Sequence, residues 1–219
     1  MANYDNGANT RQFILHTAIG LFYEKGFDAV GYRDIYKAAH VNRSTVYYHF
    51  PTKDLLCYEA LWTLYIQNKK TAERYCDKQE YVYPLALALQ WHQIQQDPAM
   101  RRIQREICIS HPVFTGKMDL SHFYTRLCEV LWAPFLDIKQ IPPFSVASVY
   151  GYIISTLRLL CEYPETHNGL ELLIFSMNSS AAIWGLPQKI VDDIWENVRH
   201  YFDQIPEEDR KIHLPPTKV

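Results

Sequence analysis

Between Asn42 and Lys53 the chain reads NRSTVYYHFPTK, and nearly every side chain in that run carries a group suited to nucleic acid. Asn42, Arg43, Ser44 and Thr45 place an amide, a guanidinium and two hydroxyls at the start of a short helical stretch. A helix laid in the major groove meets base edges with its N-terminal residues, and an arginine there can take a guanine through O6 and N7 together. Tyr47, Tyr48 and His49 can reach phosphates by hydroxyl or ring N–H. Lys53 adds a charge where a following helix exposes its first amides, a setting that suits a phosphate. Arg33, upstream, is a further candidate for the phosphates. Val46 and Phe50 read as inward-facing packing residues.

These groups need elements to hold them. A helix from Tyr32 or Arg33 to Ala39 buries Ile35 and an alanine face, His40 and Val41 make a tight turn, and Asn42 opens a helix running to about Phe50. Asn42 is a good N-cap, with a side chain able to accept from the Thr45 amide. Two short helices around a tight turn make a helix-turn-helix. Before it, Ile14, Ala18, Leu21 and Phe22 fall at i, i+4, i+7 and i+8, and Lys25 with Gly26 forms a basic last turn and a stop, giving a helix over about 10–25. After it, Pro51 ends the reading helix and Thr52 caps a fourth that continues to about Cys76. Prolines then punctuate helices over about 84–96, 98–110, 119–136, 144–163, 170–184 and 187–205, with Pro134 inside a pattern that it kinks or ends. No run alternates with period two, so no strand is expected.

Laid out this way, residues 11–56 closely resemble the N-terminal DNA-binding domain of the TetR family of bacterial transcriptional regulators. The resemblance rests on Leu21-Phe22-Tyr23-Glu24-Lys25-Gly26-Phe27-Asp28-Ala29, Arg33-Asp34-Ile35, Ala38-Ala39, Val41, Ser44-Thr45-Val46-Tyr47-Tyr48-His49-Phe50 and Lys53-Asp54-Leu55. It covers about a fifth of the chain. It implies an all-α protomer of nine or ten helices, with a three-helix DNA-binding domain over 1–52 and a helical ligand-binding and dimerisation domain over 53–205. It also implies a homodimer on a palindromic operator, a repressor released when a small-molecule effector shifts the fourth helix. A regulator or activator acting mainly through a protein partner is the alternative. Four positions depart from the family pattern. Val30 and Gly31 stand where Thr and Ser are common, Tyr36 where a small residue lets two helices cross closely, and His40 in place of the turn glycine. A non-glycine residue in a left-handed turn is strained by roughly 1 kcal/mol.

Two broad apolar stripes suit the dimer. Val149, Ile153, Leu157 and Leu160 lie on the helix after Phe144, and Ile190, Ile194, Val198 and Tyr201 on the one after Pro187. Doubled about a twofold axis, two such helices make a four-helix bundle; the alternative is that they pack inside the protomer.

Composition bounds the rest. Net charge is −2, while residues 1–56 hold six Lys/Arg against five Asp/Glu, or +1, leaving −3 elsewhere. Affinity for DNA must come from a few placed contacts and from pairing two modules. No apolar run reaches the roughly 20 residues that span a bilayer, and the N-terminus lacks a signal-peptide pattern, so the expected location is the cytoplasm, with no membrane partner. Five cysteines, odd in number and widely spaced, argue against disulfides. Cys108, His111, His122 and Cys128 have weak metal-site spacing and read as buried thiols and surface histidines. No nucleophile elbow, Walker loop or dinucleotide glycine pattern is present, so neither an enzyme nor a cofactor is expected. The segment 206–219 is expected to fray. Arg158, amid leucines, either needs a buried carboxylate or sits exposed beside Glu162.

Overall fold

The computed structural model describes residues 2–107, 121–132, 134–136 and 143–216. Side chains are described from residue 7 on and, between 121 and 150, for residues 126, 127, 129–132, 134–136, 148 and 149. The described residues are helix, turn and loop with no strand, as expected. The chain divides into two compact units, one of residues up to Leu64 together with the segment from His213, the other of Tyr65–Ile212.

In the first unit α1 (Ala2–Lys25) starts well before the expected residue 10 and stops at Gly26, whose φ of 93° and amide bond to the Phe22 carbonyl, 2.9 Å, form the expected glycine cap. The Phe27 ring folds back on Phe22 at 5.3 Å. α2 (Tyr32–Ala38) and α3 (Arg43–His49) follow, and both pack on α1 and on each other. The shared core is Ile14, Ala18, Phe22, Phe27, Val30, Ile35, Ala39, Val46 and Phe50, all buried. Val30 therefore works as a core residue where a hydroxyl was the usual choice. Gly31, the N-cap of α2, has no side chain to cap with, and the Asp34 carboxylate compensates by accepting from the Gly31 amide at 2.9 Å.

Between α2 and α3 the chain reverses through a left-handed residue. His40 has φ 52°, its amide reaches the Lys37 carbonyl at 3.3 Å, and the Val41 amide reaches the Tyr36 carbonyl at 3.1 Å. This pair of bonds is the Schellman closure, which requires positive φ at the position His40 occupies. α4 (Lys53–Tyr75) opens with Thr52 Oγ1 accepting from the Leu55 amide at 3.1 Å, the expected cap, and runs on into the second unit.

The second unit is built around α5 (Gln79–Gln96), buried on nearly every side from Tyr81 to Ile94. α6 (Pro98–Arg105), α7 (Ser121–Trp132), α8 (Pro143–Glu162), α9 (Gly169–Ile183), α10 (Gln188–Gln204) and α11 (Glu207–Arg210) complete the described elements, and all six pack on α5. α5 begins five residues ahead of Pro84, where the proline marked the expected start. The carbonyl that loses its partner belongs to exposed Glu80, which water can serve. Pro134 does end α7, in a turn closed by the Phe135 and Leu136 amides on the Trp132 carbonyl. α9 approaches α5 so closely that a Cβ on Gly169 would lie 3.1 Å from the Trp91 carbonyl oxygen.

The apolar stripes expected to meet a second protomer are instead interior. Val149, Ile153, Leu157, Leu160, Ile194 and Val198 are 3% exposed or less, and Ile190 and Tyr201 are only partly exposed, the latter bonded to Asp77 at 2.7 Å. The reason is α5. A helix apolar on all sides needs cover all round, and the α10 stripe supplies it at about 1.5–3 kcal/mol per buried side chain. Turning that stripe outward to face a partner would forfeit most of this within the protomer. Within the segment expected to fray, α11 adds a helical turn.

Because the His40 backbone is strained, His40→Gly is expected to stabilise the protein by up to about 1 kcal/mol. Urea unfolding followed by circular dichroism checks this, and an unchanged or lower midpoint contradicts it.

Candidate nucleic-acid interface

The reading helix α3 presents a distinct outer face. Asn42, Arg43, Ser44, Tyr47 and Tyr48 are exposed, Thr45 and His49 are half-buried, and Val46 and Phe50 point into the core. Tyr48, 82% exposed, is the most open large hydrophobic side chain among the described residues of the unit. Asn42 holds the N-cap position with extended backbone, but its side chain makes no cap bond; the Thr45 and Val46 amides take its backbone carbonyl instead. The expected side-chain cap is thus corrected, and the Asn42 side chain is exposed at the N-terminal end of α3.

Arg43 is positioned by aromatic rings. Its guanidinium lies 5.2 Å from the centre of the Tyr47 ring, Tyr47 stacks on Tyr32 at 4.5 Å and 26°, and the Tyr32 hydroxyl donates to the Phe50 carbonyl at 2.7 Å. Burial pushes the Tyr32 hydroxyl up to about 12, helped by Tyr47 and Asp54, so it stays a donor at any physiological pH. A cation over an aromatic face, itself held at both ends, loses fewer rotamers on binding. The sequence reading gave Tyr47 to phosphate and passed over Tyr32; the signal available was an aromatic at the first residue of α2.

Lys53 was expected to meet phosphate. Its ammonium donates to the Phe27 carbonyl at 2.6 Å and sits 4.0 Å from the centre of the Phe27 ring. It closes the loop after α1 and holds the start of α4. Arg33, by contrast, is exposed, and Lys37, one helical turn further along α2, is exposed beside it. Lys37 is a cation that the sequence reading did not single out. His49 is held below the ordinary histidine value by burial and by Arg11, so it is neutral at pH 7 and offers a ring hydrogen bond rather than charge. Arg11 in turn spans the unit, pairing with Glu59 at 3.0 Å and lying 4.7 Å over the Phe50 ring.

The remaining candidates resolve simply. Arg158 is exposed and paired with Glu162 at 2.9 Å, needing no buried carboxylate. Cys57, Cys76 and Cys161 are buried. Cys108 and His111 lie outside the described residues, as do the side chains of His122 and Cys128. No helix among the described residues is long and apolar enough to cross a membrane.

Residues 14–60 match the family model of the bacterial regulatory proteins, tetR family. The match spans α1 from its first core residue through α3 and into α4, so the N-terminal segment is a tetR-family DNA-binding domain. Over most of its length the fold is similar to RolR in complex with resorcinol, at 14% identity, 88% of this chain, 96% of that one and a TM-score of 0.55. It is also similar to full-length TylP, a TetR regulator from Streptomyces fradiae, at 17% identity, 90% and 98% coverage and a TM-score of 0.50. At these identities the likeness is one of fold. No curated protein matches the chain.

His49 gives a pH signature. Its folded value is depressed, so the stability it contributes is present above the unfolded value near 6.5 and is lost as pH falls below it. Melting temperature should fall between pH 7.5 and 5.5, and less steeply in His49→Gln; an unchanged slope removes His49 as a cause.

Proposed function

We propose that this chain, a tetR-type transcriptional regulator by its residues 14–60, is a homodimeric repressor that binds a palindromic operator and is released by a small molecule held in its second unit. The observation that carries the reading is the exposed N-terminal end of α3, where Asn42, Arg43 and Ser44 face outward on a helix whose other side is fixed in the core. Arg43 reads a base, Tyr48 and His49 take phosphates from α3, and Arg33 and Lys37 take phosphates from α2. Lys53 acts as the brace of this surface.

Dimerisation is assigned to a face the sequence reading did not choose. Tyr152, Leu159 and Tyr163 recur at i, i+7 and i+11 along α8 and the residue beyond it, and Phe175 and Ile183 lie on α9, all 40–55% exposed. Tyr152 and Phe175 already touch, with ring centroids 6.1 Å apart. Exposed aromatic residues of this kind are what an interface core contains. An effector site is supported by buried polar atoms with no protein partner, among them Gln90 Oε1, Ser176 Oγ, Trp132 Nε1 and Trp184 Nε1. Such groups are rare in a finished core, and a ligand carrying both donors and acceptors would satisfy them. A phenol of the kind named for RolR, resorcinol, has that chemistry and is the first compound to try.

Footprinting with purified protein on the DNA flanking its own gene tests the reading. Protection of two symmetric half-sites is expected, and no protected palindrome overturns it in favour of a regulator acting through a protein partner. Arg43→Ala should cost about 1–3 kcal/mol at the operator and little on random DNA, measured by fluorescence anisotropy. Equal losses on both would make Arg43 a phosphate contact. Phe175→Glu should yield a monomer in sedimentation with its helical content intact; a persistent dimer would place the interface elsewhere.

A further inference from the structure

Gln93, on α5, is 3% exposed and occupied at every polar atom. Its Oε1 accepts from Asn68 Nδ2 at 3.0 Å, and its Nε2 donates to Asn68 Oδ1 at 2.9 Å, a reciprocal amide pair with a residue of α4. The same Nε2 donates to the backbone carbonyls of Arg210 at 3.0 Å and Lys211 at 3.3 Å. The orientation of the amide is not arbitrary, because backbone carbonyls only accept and the nitrogen must face them. All four bonds lie within the second unit.

The chain leaves that unit at two places only. It enters inside α4, between Leu64 and Tyr65, and it departs between Ile212 and His213. Asn68 stands just past the first crossing and Lys211 just before the second, so one buried side chain holds both exits. The outgoing arm is pinned further by Asp209, which accepts from the Tyr75 hydroxyl and pairs with Arg74 at 3.2 Å, both on the last turn of α4. Beyond the crossing, within the first unit, the Pro216 carbonyl accepts from His16 Nδ1 on α1 at 2.9 Å, and Pro215 and His16 are buried.

From Lys211 to Pro216 the connecting chain is short. Five residues span at most about 18 Å, and Pro215-Pro216 fixes two φ angles and keeps Leu214 and Pro215 extended. The segment that joins Lys211 to Pro216 is thus stiffened by its two prolines.

We propose that Gln93 is a positioning residue through which α5 holds both covalent links to the DNA-binding unit, so that a movement of α5 acts on α4 and on the C-terminal arm together. The idea rests on the proposed effector-responsive regulation for its purpose, since α5 also carries Gln90, but its physical content stands without DNA or effector. If it holds, a molecule bound against α5 has two parallel routes to the reading surface, and loss of one leaves the other.

Hydrogen–deuterium exchange on the full chain, with neither DNA nor ligand added, is the test. Gln93→Met removes the amide while keeping the length of the side chain. It is expected to speed exchange at least ten-fold in three places, α4 around Asn68, the arm over 211–214, and α1 around His16, with α8 and α9 unchanged. Two variants separate the routes. Asn68→Leu should release α4 and leave the arm protected. Gln93→Glu keeps the acceptor for Asn68 Nδ2 but sets a carboxylate oxygen against three acceptors, two of them carbonyls of the arm and one Asn68 Oδ1, so it should release the arm and α1 more than α4. If Gln93→Met fails to fold, this pair still decides the matter. The proposal is overturned if exchange changes only within α5, if α1 stays protected when the arm is released, or if all segments change equally. Because no DNA is present, failure here is distinct from failure to find an operator.

Discussion

The reading surface depends on a single backbone reversal. α2 must end, turn and hand over to α3 within four residues, and the closure that does this needs a left-handed residue between them. His40 takes that conformation at an energetic cost, and the cost is borne because Ile35 and Ala39 on one side and Val46 and Phe50 on the other are buried together. Several kcal/mol of apolar burial outweigh a strain near 1 kcal/mol. Everything outward of that core inherits its direction from it. The Tyr32 hydroxyl bond to Phe50, the Tyr32–Tyr47 stack and the Arg43 cation above it are successive consequences of where Phe50 sits.

The second unit follows a different rule. α5 is apolar nearly all round, so six helices must surround it, and the polar groups that enter this core are either tightly paired or left without a protein partner. Gln93 and Asn68 are of the first kind, bonded to each other in both directions and, through Gln93, to the C-terminal arm. Gln90 and Ser176 are of the second. Paired amides hold a single geometry, while unpaired ones mark where another molecule would lower the energy. The proposed effector response would use both, a fixed frame and a site whose filling shifts it.

Much of the first unit was legible because its signals are local. The glycine stop after α1, the Thr52 cap, the helix-turn-helix spacing and the left-handed His40 all depend on residues within a few positions of one another. Other contacts of that unit are not local. Lys53 and Phe27 are far apart in sequence, so nothing nearby showed that the ammonium would turn inward. Asn42 has the right residue type for a side-chain cap, yet the backbone carbonyl served the amides and left the side chain outward. Tyr32 was unremarkable until Phe50 and Tyr47 were brought to it.

The sequence by itself determined that the chain is helical, where most helices begin and end, and that one short helix carries groups for DNA, because period, caps and prolines act over one or two turns. Only the tertiary structure decided which apolar stripe faces inward. Val149, Ile153, Leu157, Ile194 and Val198 look like an interface along their own helices, but burial is a property of what packs opposite, chiefly α9 and α6 for α8 and α5 for α10. The same holds for the C-terminal arm, whose charges and prolines suggested a loose end. Its anchors are Gln93 and His16, and no pattern within the arm could announce them.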